Sequence, residues 1–261
     1  MSYKMIVLDL DDTLIKNDGT ISKYTKDKLI DAQKRGKKVV LASGRPNYGM
    51  IKVADELEFK ENGGYILAYN GARIVDYANG KELFASNITK EQLDMLYDMS
   101  KEEGADIQTY IGDDIIASRD NEYTNVEHEI TGMNVIVAED FKEYVKGDVV
   151  KAIVLQHPDK ISVIEEKWKE KMDGVMYMTT SKPFFLEFMN KEVDKSKSIE
   201  RLANMLGIDM SEVIAVGDSY NDLSMIKNAG LGVAMANAVD DVKAVADYRD
   251  AVQNSGRPSP Q

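Results

Sequence analysis

The chain has 261 residues, 43% of them hydrophobic, so it can bury a sizeable core and is not a disordered protein. Its formal net charge of −12 at pH 7 argues against a nucleic acid or an anionic membrane as the main partner. Because cysteine is absent, structural disulfides, thiolate catalysis and cysteine-based zinc sites are excluded.

The first predicted element is a buried strand over residues 5–8, an apolar run without polar alternation. Asp9 and Asp11 follow it, and ligands of open α/β sheets bind outside the carboxyl ends of strands. Both carboxylates are therefore expected in one crevice, where a cation would offset their repulsion. Taken alone, the segment is equally consistent with an acidic turn. A calcium loop is excluded, because Leu14 and Thr20 stand where the EF-hand pattern needs Gly and Glu.

A βαβ unit comes next. The pattern predicts an amphipathic helix over residues 22–35, capped by Gly36, and a strand over residues 38–42. This strand also ends in a polar turn, Ser43-Gly44-Arg45. The following predicted elements are a helix from near Pro46, a strand over 65–69, a hairpin turn at Asn70-Gly71 and a strand over 73–75.

From about residue 84 the regular alternation is replaced by a mixed α+β pattern, which we interpret as an inserted domain over 84–189. Its predicted elements are helices over 89–103 and 160–172 and strands over 106–110, 115–118, 134–137, 150–156, 175–179 and 184–189. The acidic stretch 120–129 is interpreted as a solvated face, with a position at the substrate entrance as the alternative. The core domain therefore comprises residues 1–83 and 190–248.

The second core segment resumes the alternation of helices and strands. Its predicted elements are helices over 196–205 and 221–229 and strands over 213–216 and 231–235. The polar, proline-containing residues 249–261 are predicted to form a disordered tail. With no signal sequence and no apolar run of about 20 residues, we expect no membrane association and a cytoplasmic location.

Four elements end in polar groups that would face one crevice. They are Asp9 with Asp11, Ser43 with Gly44, Lys195, and Asp218 with Asn221 and Asp222. Taken alone, Asp218 or Asn221 could be a helix cap. Together the groups suit phosphoryl transfer, because a carboxylate that attacks a phosphate dianion needs Mg²⁺ and an ammonium group to offset like charge. The histidines, His128 and His157, both lie in the insert and are not expected to act in catalysis.

The segments Asp9-Leu10-Asp11-Asp12-Thr13, Ser43-Gly44-Arg45, Lys195 and Gly217-Asp218-Ser219-Tyr220-Asn221-Asp222 resemble the four ordered motifs of the haloacid dehalogenase superfamily. The place of the insert and the segment 232–238 resemble its Cof-type phosphatase branch. The resemblance implies an α/β fold, with a Rossmann-like doubly wound parallel-sheet core and an inserted α+β cap domain that closes over the crevice. It also implies a Mg²⁺-dependent phosphatase that hydrolyses sugar phosphates or other small phosphorylated metabolites through an aspartyl phosphate.

The same resemblance implies a role for each motif residue. Asp9 would be the nucleophile and a Mg²⁺ ligand, and Asp11 the general acid and base, ligating Mg²⁺ through its backbone carbonyl. Asp218 would ligate the metal directly, with Asp222 close by or acting through water. The phosphoryl group would be held by Ser43, the backbone of Gly44, Lys195, Asn221 and the backbone N–H of Leu10. The role of Arg45 stays open, and Ser196 departs from the glycine that the family usually has after its lysine.

Two other functions compete with hydrolysis. A phosphomutase would pass the phosphoryl group to a second sugar hydroxyl, although the known mutase branch has its cap between the first and second motifs. A non-catalytic sensor would bind a phosphorylated ligand or take up phosphate, as single-domain receivers do. Release of free phosphate discriminates hydrolysis from both alternatives.

Overall fold

The computed structural model describes residues 2–16 and 18–250, which form two compact units. The first unit comprises the described parts of Met1–Phe84 and Asp194–Gln261, and the second is Ala85–Val193. The fourteen strands, in chain order, are β1 (Met5–Leu8), β2 (Lys38–Ala42), β3 (Tyr65–Ala68), β4 (Arg73–Asp76), β5 (Lys81–Ala85), β6 (Asp106–Ile111), β7 (Asp114–Ala117), β8 (Asn134–Val137), β9 (Lys151–Leu155), β10 (Met176–Lys182), β11 (Phe185–Asn190), β12 (Val213–Gly217), β13 (Leu231–Ala234) and β14 (Tyr248–Arg249), all within the described residues. The α-helices of the described residues are α1 (Lys23–Lys34), α2 (Ile51–Glu56), α3 (Phe59–Asn62), α4 (Lys90–Glu102), α5 (Glu122–Thr131), α6 (Phe141–Tyr144), α7 (Pro158–Met172), α8 (Lys195–Met205), α9 (Leu223–Asn228) and α10 (Asp240–Val245).

The first unit is built on an eight-stranded sheet with the order β14-β13-β12-β1-β2-β3-β4-β5. The strands from β14 to β3 are parallel, and β4 runs antiparallel to β3. Strand β1 lies between β2 and β12, with Val7 opposite both Val40 and Ala215. This central position explains the apolar run in β1, because a strand covered on both faces has no side for polar residues.

Helices from the second core segment cover one face of this sheet. Met5 and Val7 of β1 share a buried cluster with Leu202 of α8, Met225 of α9 and Val242 of α10. Helix α1 lies against β2. The predicted α/β fold class is confirmed by this parallel sheet with flanking helices.

The second unit contains a six-stranded sheet with the order β10-β11-β9-β6-β7-β8. All neighbours are antiparallel except β7 and β8, which are parallel and are joined through α5. Residues of α4 and α7, among them Leu93 and Trp168, share a buried cluster with one face of this sheet. The unit therefore has a hydrophobic core of its own.

The acidic stretch 120–129 contributes most of a helix that was not predicted from the sequence. Residues 122–131 form helix α5, which begins after Asn121, whose side chain accepts hydrogen bonds from the N–H groups of Tyr123 and Thr124. Glu127 is buried and accepts a hydrogen bond from the hydroxyl of Tyr110. Asp120, Glu122 and Glu129 are exposed, as expected of a solvated face, whereas Glu127 points into the protein.

Smaller differences concern the ends of elements. The helix predicted from Pro46 begins as a 3-10 turn over Tyr48–Met50 and continues as α2, and the helix predicted over 221–229 begins as a 3-10 turn over Tyr220–Asp222. The domain boundaries predicted after residues 83 and 189 fall inside β5 and β11. Arg249, predicted as the start of the tail, belongs to β14, and the tail from residue 251 lies outside the described residues.

No helix among the described residues has the length and apolar character needed to span a membrane.

Candidate active site

The candidate site lies at the carboxyl ends of the central strands in the first unit. Asp9 directly follows β1, Ser43 follows β2, and Asp218 follows β12. From β1 the chain continues to β2 on one side, whereas β12 pairs on the other, so the strand order reverses here. Crevices at such switch points are where ligands bind in open α/β sheets.

A buried cation lies between two buried carboxylates. Nζ of Lys195 donates to Oδ1 of Asp9 at 2.7 Å and to Oδ1 of Asp222 at 2.6 Å, and none of the Lys195 side chain is exposed. Burial alone would lower the pKa of Lys195, but the carboxylates of Asp9 and Asp222 outweigh burial and hold this pKa above its ordinary value. The lysine therefore remains a positive charge beside Asp9.

The carboxyl group of Asp9 is the most strongly perturbed acid of the site. Burial raises its pKa, Lys195 lowers it, and the carboxylates of Asp222 and Asp218 raise it further, to about 7. Three carboxylates, those of Asp9, Asp218 and Asp222, surround this single lysine, so formal negative charge exceeds formal positive charge in the pocket. A bound cation would remove this imbalance.

Asp222 is positioned through both of its carboxylate oxygens. Oδ1 accepts from Lys195, and Oδ2 accepts the backbone N–H groups of Asp218 at 3.0 Å and Ser219 at 3.1 Å. A Cβ added to Gly217 would lie 2.6 Å from Cβ of Asp222, so this approach requires glycine. The N-cap of the following 3-10 turn is Ser219, whose N–H Asp222 accepts, so the helix cap considered at Asp218 or Asn221 is not the one observed.

Asp218 is held by two residues to which no role was assigned from the sequence. Oγ1 of Thr13 donates to its Oδ1 at 2.7 Å, and Nδ2 of Asn237 donates to its Oδ2 at 3.5 Å and to the carbonyl of Asp12 at 2.9 Å. Burial raises the pKa of Asp218 to about 6, against the lowering effect of the Thr13 hydrogen bond. Thr13 and Asn237 both lie in segments that the resemblance singled out, but short polar residues have too many uses for their partners to be inferred.

Three carboxylates could hold a metal ion. Asp9, Asp218 and Asp222 each offer one oxygen, and these oxygens lie within 4.8 Å of one another. Carboxylate oxygens are hard ligands of the kind Mg²⁺ prefers, so the donor set fits this ion. The side chain of Asp11 does not belong to this group of three.

The carboxylate of Asp11 is paired with Arg45 instead. Nε and Nη2 of Arg45 donate to the two Asp11 oxygens at 3.0 and 2.5 Å, and 55% of the Asp11 side chain is exposed. A guanidinium matches a carboxylate with two parallel hydrogen bonds, so this pair has a defined geometry. Arg45, whose role stayed open in the sequence, thus contacts the residue expected to transfer protons.

The remaining predicted residues lie around the turn after β2. Ser43 is buried, with 2% of the residue exposed, and its Oγ accepts a hydrogen bond from the N–H of Arg45 at 3.1 Å. Nδ2 of Asn221 donates to Oδ1 of Asn70 at 3.0 Å. The N–H groups of Leu10 and Gly44 donate no hydrogen bond within residues 2–16 and 18–250, so both are available to an anion.

Comparison with known proteins gives a consistent result over nearly the whole chain. Residues 6–255 match the family model described as haloacid dehalogenase-like hydrolase. The protein YxeH of Bacillus subtilis is 31% identical over 255 residues, which cover 97% of this chain and 94% of YxeH. A second Bacillus subtilis protein, named 5-amino-6-(5-phospho-D-ribitylamino)uracil phosphatase YcsE, is 27% identical over 95% of this chain and 90% of its own length. A crystal structure of a haloacid dehalogenase-like hydrolase from Bacteroides thetaiotaomicron superimposes with a TM-score of 0.90 at 37% identity, covering 95% of this chain and 94% of that one.

Proposed function

Because the chain belongs to the haloacid dehalogenase-like hydrolase family, we propose that it is a Mg²⁺-dependent phosphatase. In this proposal Asp9 is the nucleophile, and the substrates are small phosphorylated metabolites, above all sugar phosphates. The contact of Asp9 with the buried ammonium of Lys195, beside Asp218 and Asp222, carries this proposal. A phosphate monoester is a dianion that an isolated carboxylate would repel. A lysine at 2.7 Å and a metal site formed by neighbouring acids offset this repulsion.

In the first step, a carboxylate oxygen of Asp9 attacks phosphorus, and the bond from phosphorus to the ester oxygen breaks. Asp11 acts as the general acid and gives a proton to the departing alkoxide, so that an alcohol and an aspartyl phosphate are formed. In the second step, water attacks the phosphorus of the aspartyl phosphate while Asp11 accepts a proton from it. Inorganic phosphate leaves, and the Asp9 carboxylate is regenerated.

Other residues hold the phosphoryl group during both steps. The free N–H groups of Leu10 and Gly44, the hydroxyl of Ser43, the ammonium of Lys195 and the amide of Asn221 supply the donors. Mg²⁺, held by Asp9, Asp218 and the backbone carbonyl of Asp11, with Asp222 close by or acting through water, would supply positive charge for the phosphoryl oxygens.

Two features support a small phosphorylated substrate. The chain carries a net charge of −12, which disfavours long polyanions, whereas the donors of the site need only match one phosphate group. YcsE, which matches 95% of the chain, is named for a phosphorylated ribityl compound. Sugar and polyol phosphates are therefore the first substrates to test.

The test measures release of inorganic phosphate from a panel of sugar phosphates and p-nitrophenyl phosphate, with Mg²⁺ or with EDTA. We expect release that requires Mg²⁺ and that falls on the order of 10³-fold or more in Asp9→Asn. Asp27→Asn is the matched control, because it removes the same charge from the exposed surface of α1, where Asp27 pairs with Lys23. Binding of phosphate compounds without release, or equal activity of Asp9→Asn and wild type, would exclude this mechanism.

A further inference from the structure

The connection between β3 and β4 has an unusual backbone. Tyr69, Asn70 and Gly71 have φ angles of 52°, 54° and 93°, so three consecutive residues lie in the left-handed region. Glycine adopts this region freely and asparagine tolerates it, but a bulky residue such as tyrosine is uncommon there. Backbone strain of this kind persists only where the surroundings hold it, and such strain concentrates at functional sites.

The surroundings hold this turn from two sides. The N–H of Tyr69 donates to the carbonyl of Arg45 at 3.0 Å, and the N–H of Asn70 donates to the carbonyl of Ser43 at 2.8 Å. On the other side, Oγ of Ser198 donates to the carbonyl of Gly71 at 2.7 Å. The turn is thus fixed both to the segment that carries Ser43 and to α8, the helix that begins with Lys195.

The left-handed conformation brings the Asn70 side chain to two groups of the phosphoryl site. Its Oδ1 accepts from Nδ2 of Asn221 at 3.0 Å. Both amide atoms lie 3.4 Å from the position that a Cβ on Gly44 would occupy. Nδ2 of Asn70 has no hydrogen-bond partner among the residues that the structure describes.

We propose that Asn70 is a positioning residue of the phosphoryl site, which orients the amide of Asn221 beside the backbone of Gly44. A side-chain amide in solution samples several rotamers, whereas the bond to Oδ1 of Asn70 selects one of them. The strained turn supplies the rigidity, because its two backbone hydrogen bonds fix Asn70 relative to Ser43 and Arg45. The inference rests on the proposed function for the role of Asn221.

The primary test is a double-mutant cycle on binding of inorganic phosphate in the presence of Mg²⁺, which requires no turnover. Asn70→Gly removes the amide while keeping a residue suited to positive φ and the backbone N–H. We expect Asn70→Gly to weaken phosphate binding roughly 10-fold and Asn221→Ala to weaken it at least as much. The double variant should bind no more weakly than Asn221→Ala, because Asn70 acts through Asn221.

Thermal unfolding separates positioning from a purely structural role. In Asn70→Gly, the backbone freedom of glycine at positive φ offsets its greater entropy in the unfolded chain, so Tm is expected to be preserved despite the weaker phosphate binding. Glu58→Gly is the matched control, since Glu58 has a φ of 56° in the connection between α2 and α3 and contacts no predicted site residue. This control should also preserve or raise Tm, but with unchanged phosphate binding.

The outcomes distinguish this inference from the proposed function. If the wild type hydrolyses p-nitrophenyl phosphate, the losses of kcat/KM in the two single variants and the double variant should be non-additive, as the losses of phosphate affinity are. If it binds phosphate but hydrolyses no ester, the proposed phosphatase fails, while the binding cycle still decides the role of Asn70. Wild-type phosphate affinity in Asn70→Gly, additive losses in the double variant, or no phosphate binding by the wild type would each overturn the inference.

Discussion

The buried ammonium of Lys195 stabilises the fold, because it neutralises carboxylates that would otherwise be buried without a partner. Removing one partner of a buried ion pair leaves an uncompensated buried charge, which is more costly than losing the attraction itself. In this protein the loss would leave Asp9 and Asp222, both nearly inaccessible to solvent, without their shared cation.

We therefore predict that Lys195→Met lowers the unfolding free energy of the metal-free protein by about 3–5 kcal/mol. Mg²⁺ should restore part of this loss, because it can compensate the same carboxylates. Urea denaturation with EDTA or Mg²⁺ measures both effects.

A second buried pair provides a control for this prediction. In the other unit, Lys151 and Glu187 lie 2.6 Å apart with 5% and 8% of their side chains exposed. Lys151→Met should also be destabilising, but Mg²⁺ should restore none of its loss. Equal recovery in both variants would show that the ion does not act at the carboxylates of Asp9 and Asp222.

Asp11 is expected to matter differently in the two chemical steps. p-Nitrophenolate is a good leaving group that departs without a proton, whereas attack by water on the aspartyl phosphate needs a base. Asp11→Asn should therefore release about one p-nitrophenolate per chain in a rapid burst, followed by a steady-state rate on the order of 10²- to 10⁴-fold below wild type.

The control for this experiment is the adjacent acid. Asp12 has a φ of 60°, a conformation that asparagine tolerates, so Asp12→Asn removes a charge without changing the backbone preference. It should show no burst and a rate near that of the wild type. A slow first turnover in Asp11→Asn, with no burst, would contradict the assignment of Asp11 to the second step.

At the scale of elements, the turn after β12 depends on close approach between backbone and side chain. Gly217 ends this strand, and a Cβ there would overlap the Asp222 side chain, whose Oδ2 caps the following 3-10 turn. The strand and the helical turn after it are therefore compatible only when this position lacks a side chain.

Gly217→Ala should lower the unfolding free energy by about 1–3 kcal/mol, the usual cost of overpacking. It should also reduce phosphate release, since displacement of Asp222 disturbs Lys195. Gly147→Ala is the control, because nothing lies within 4 Å of a Cβ at this position, and its effect should stay within about 0.5 kcal/mol. Unfolding free energies from chemical denaturation, with activity measured on the same samples, test the pair; equal stabilities would contradict the predicted overlap.

The elements that carry the candidate site could be predicted because central parallel strands have a strong local signal. Strands β1, β2 and β12 are short apolar runs followed by acids or small polar residues, and each was identified from the sequence. Helix α5 was missed because its charged sequence shows no clear apolar face, and the burial of Glu127 depends on Tyr110, a residue of another element.

Contacts between distant segments explain what else escaped prediction. Asn70 and Gly71 correctly indicated a hairpin, confirmed by the antiparallel pairing of β3 with β4. The same two residues occur in many hairpins, so nothing local indicated the bond from Asn221 to Asn70. The hydroxyl of Thr13 likewise reaches Asp218, which is 205 positions later in the chain. Local patterns identify elements, but only the assembled sheet determines which polar side chains meet.

At the scale of the whole molecule, each of the two compact units has a buried hydrophobic cluster of its own. The unit Ala85–Val193 has its own sheet and its own buried cluster, which includes Trp168 and Phe188 with ring centroids 5.9 Å apart. A segment with a contiguous core of this kind can fold alone.

We predict that a fragment spanning Ala85–Val193 folds and unfolds cooperatively. Trp168 is the only tryptophan in the chain, so its fluorescence reports on this unit. Urea unfolding followed by fluorescence and by far-ultraviolet circular dichroism should give coincident transitions. Trp168→Phe, with circular dichroism alone, controls for the contribution of the indole ring; non-coincident transitions or a fragment without secondary structure would contradict the prediction.

The place of β1 between β2 and β12 also constrains how the protein is made in the cell. A ribosome synthesises β1 and β2 long before β12, the other neighbour of β1, which begins at Val213. Until that segment emerges, the nascent chain presents an unpaired edge of apolar strand, the kind of surface on which chains aggregate. Asp9 likewise cannot meet Lys195 before α8 has been synthesised. Truncated translation products would therefore lack the complete candidate site and retain an exposed strand edge, which makes them natural targets for chaperones and proteases.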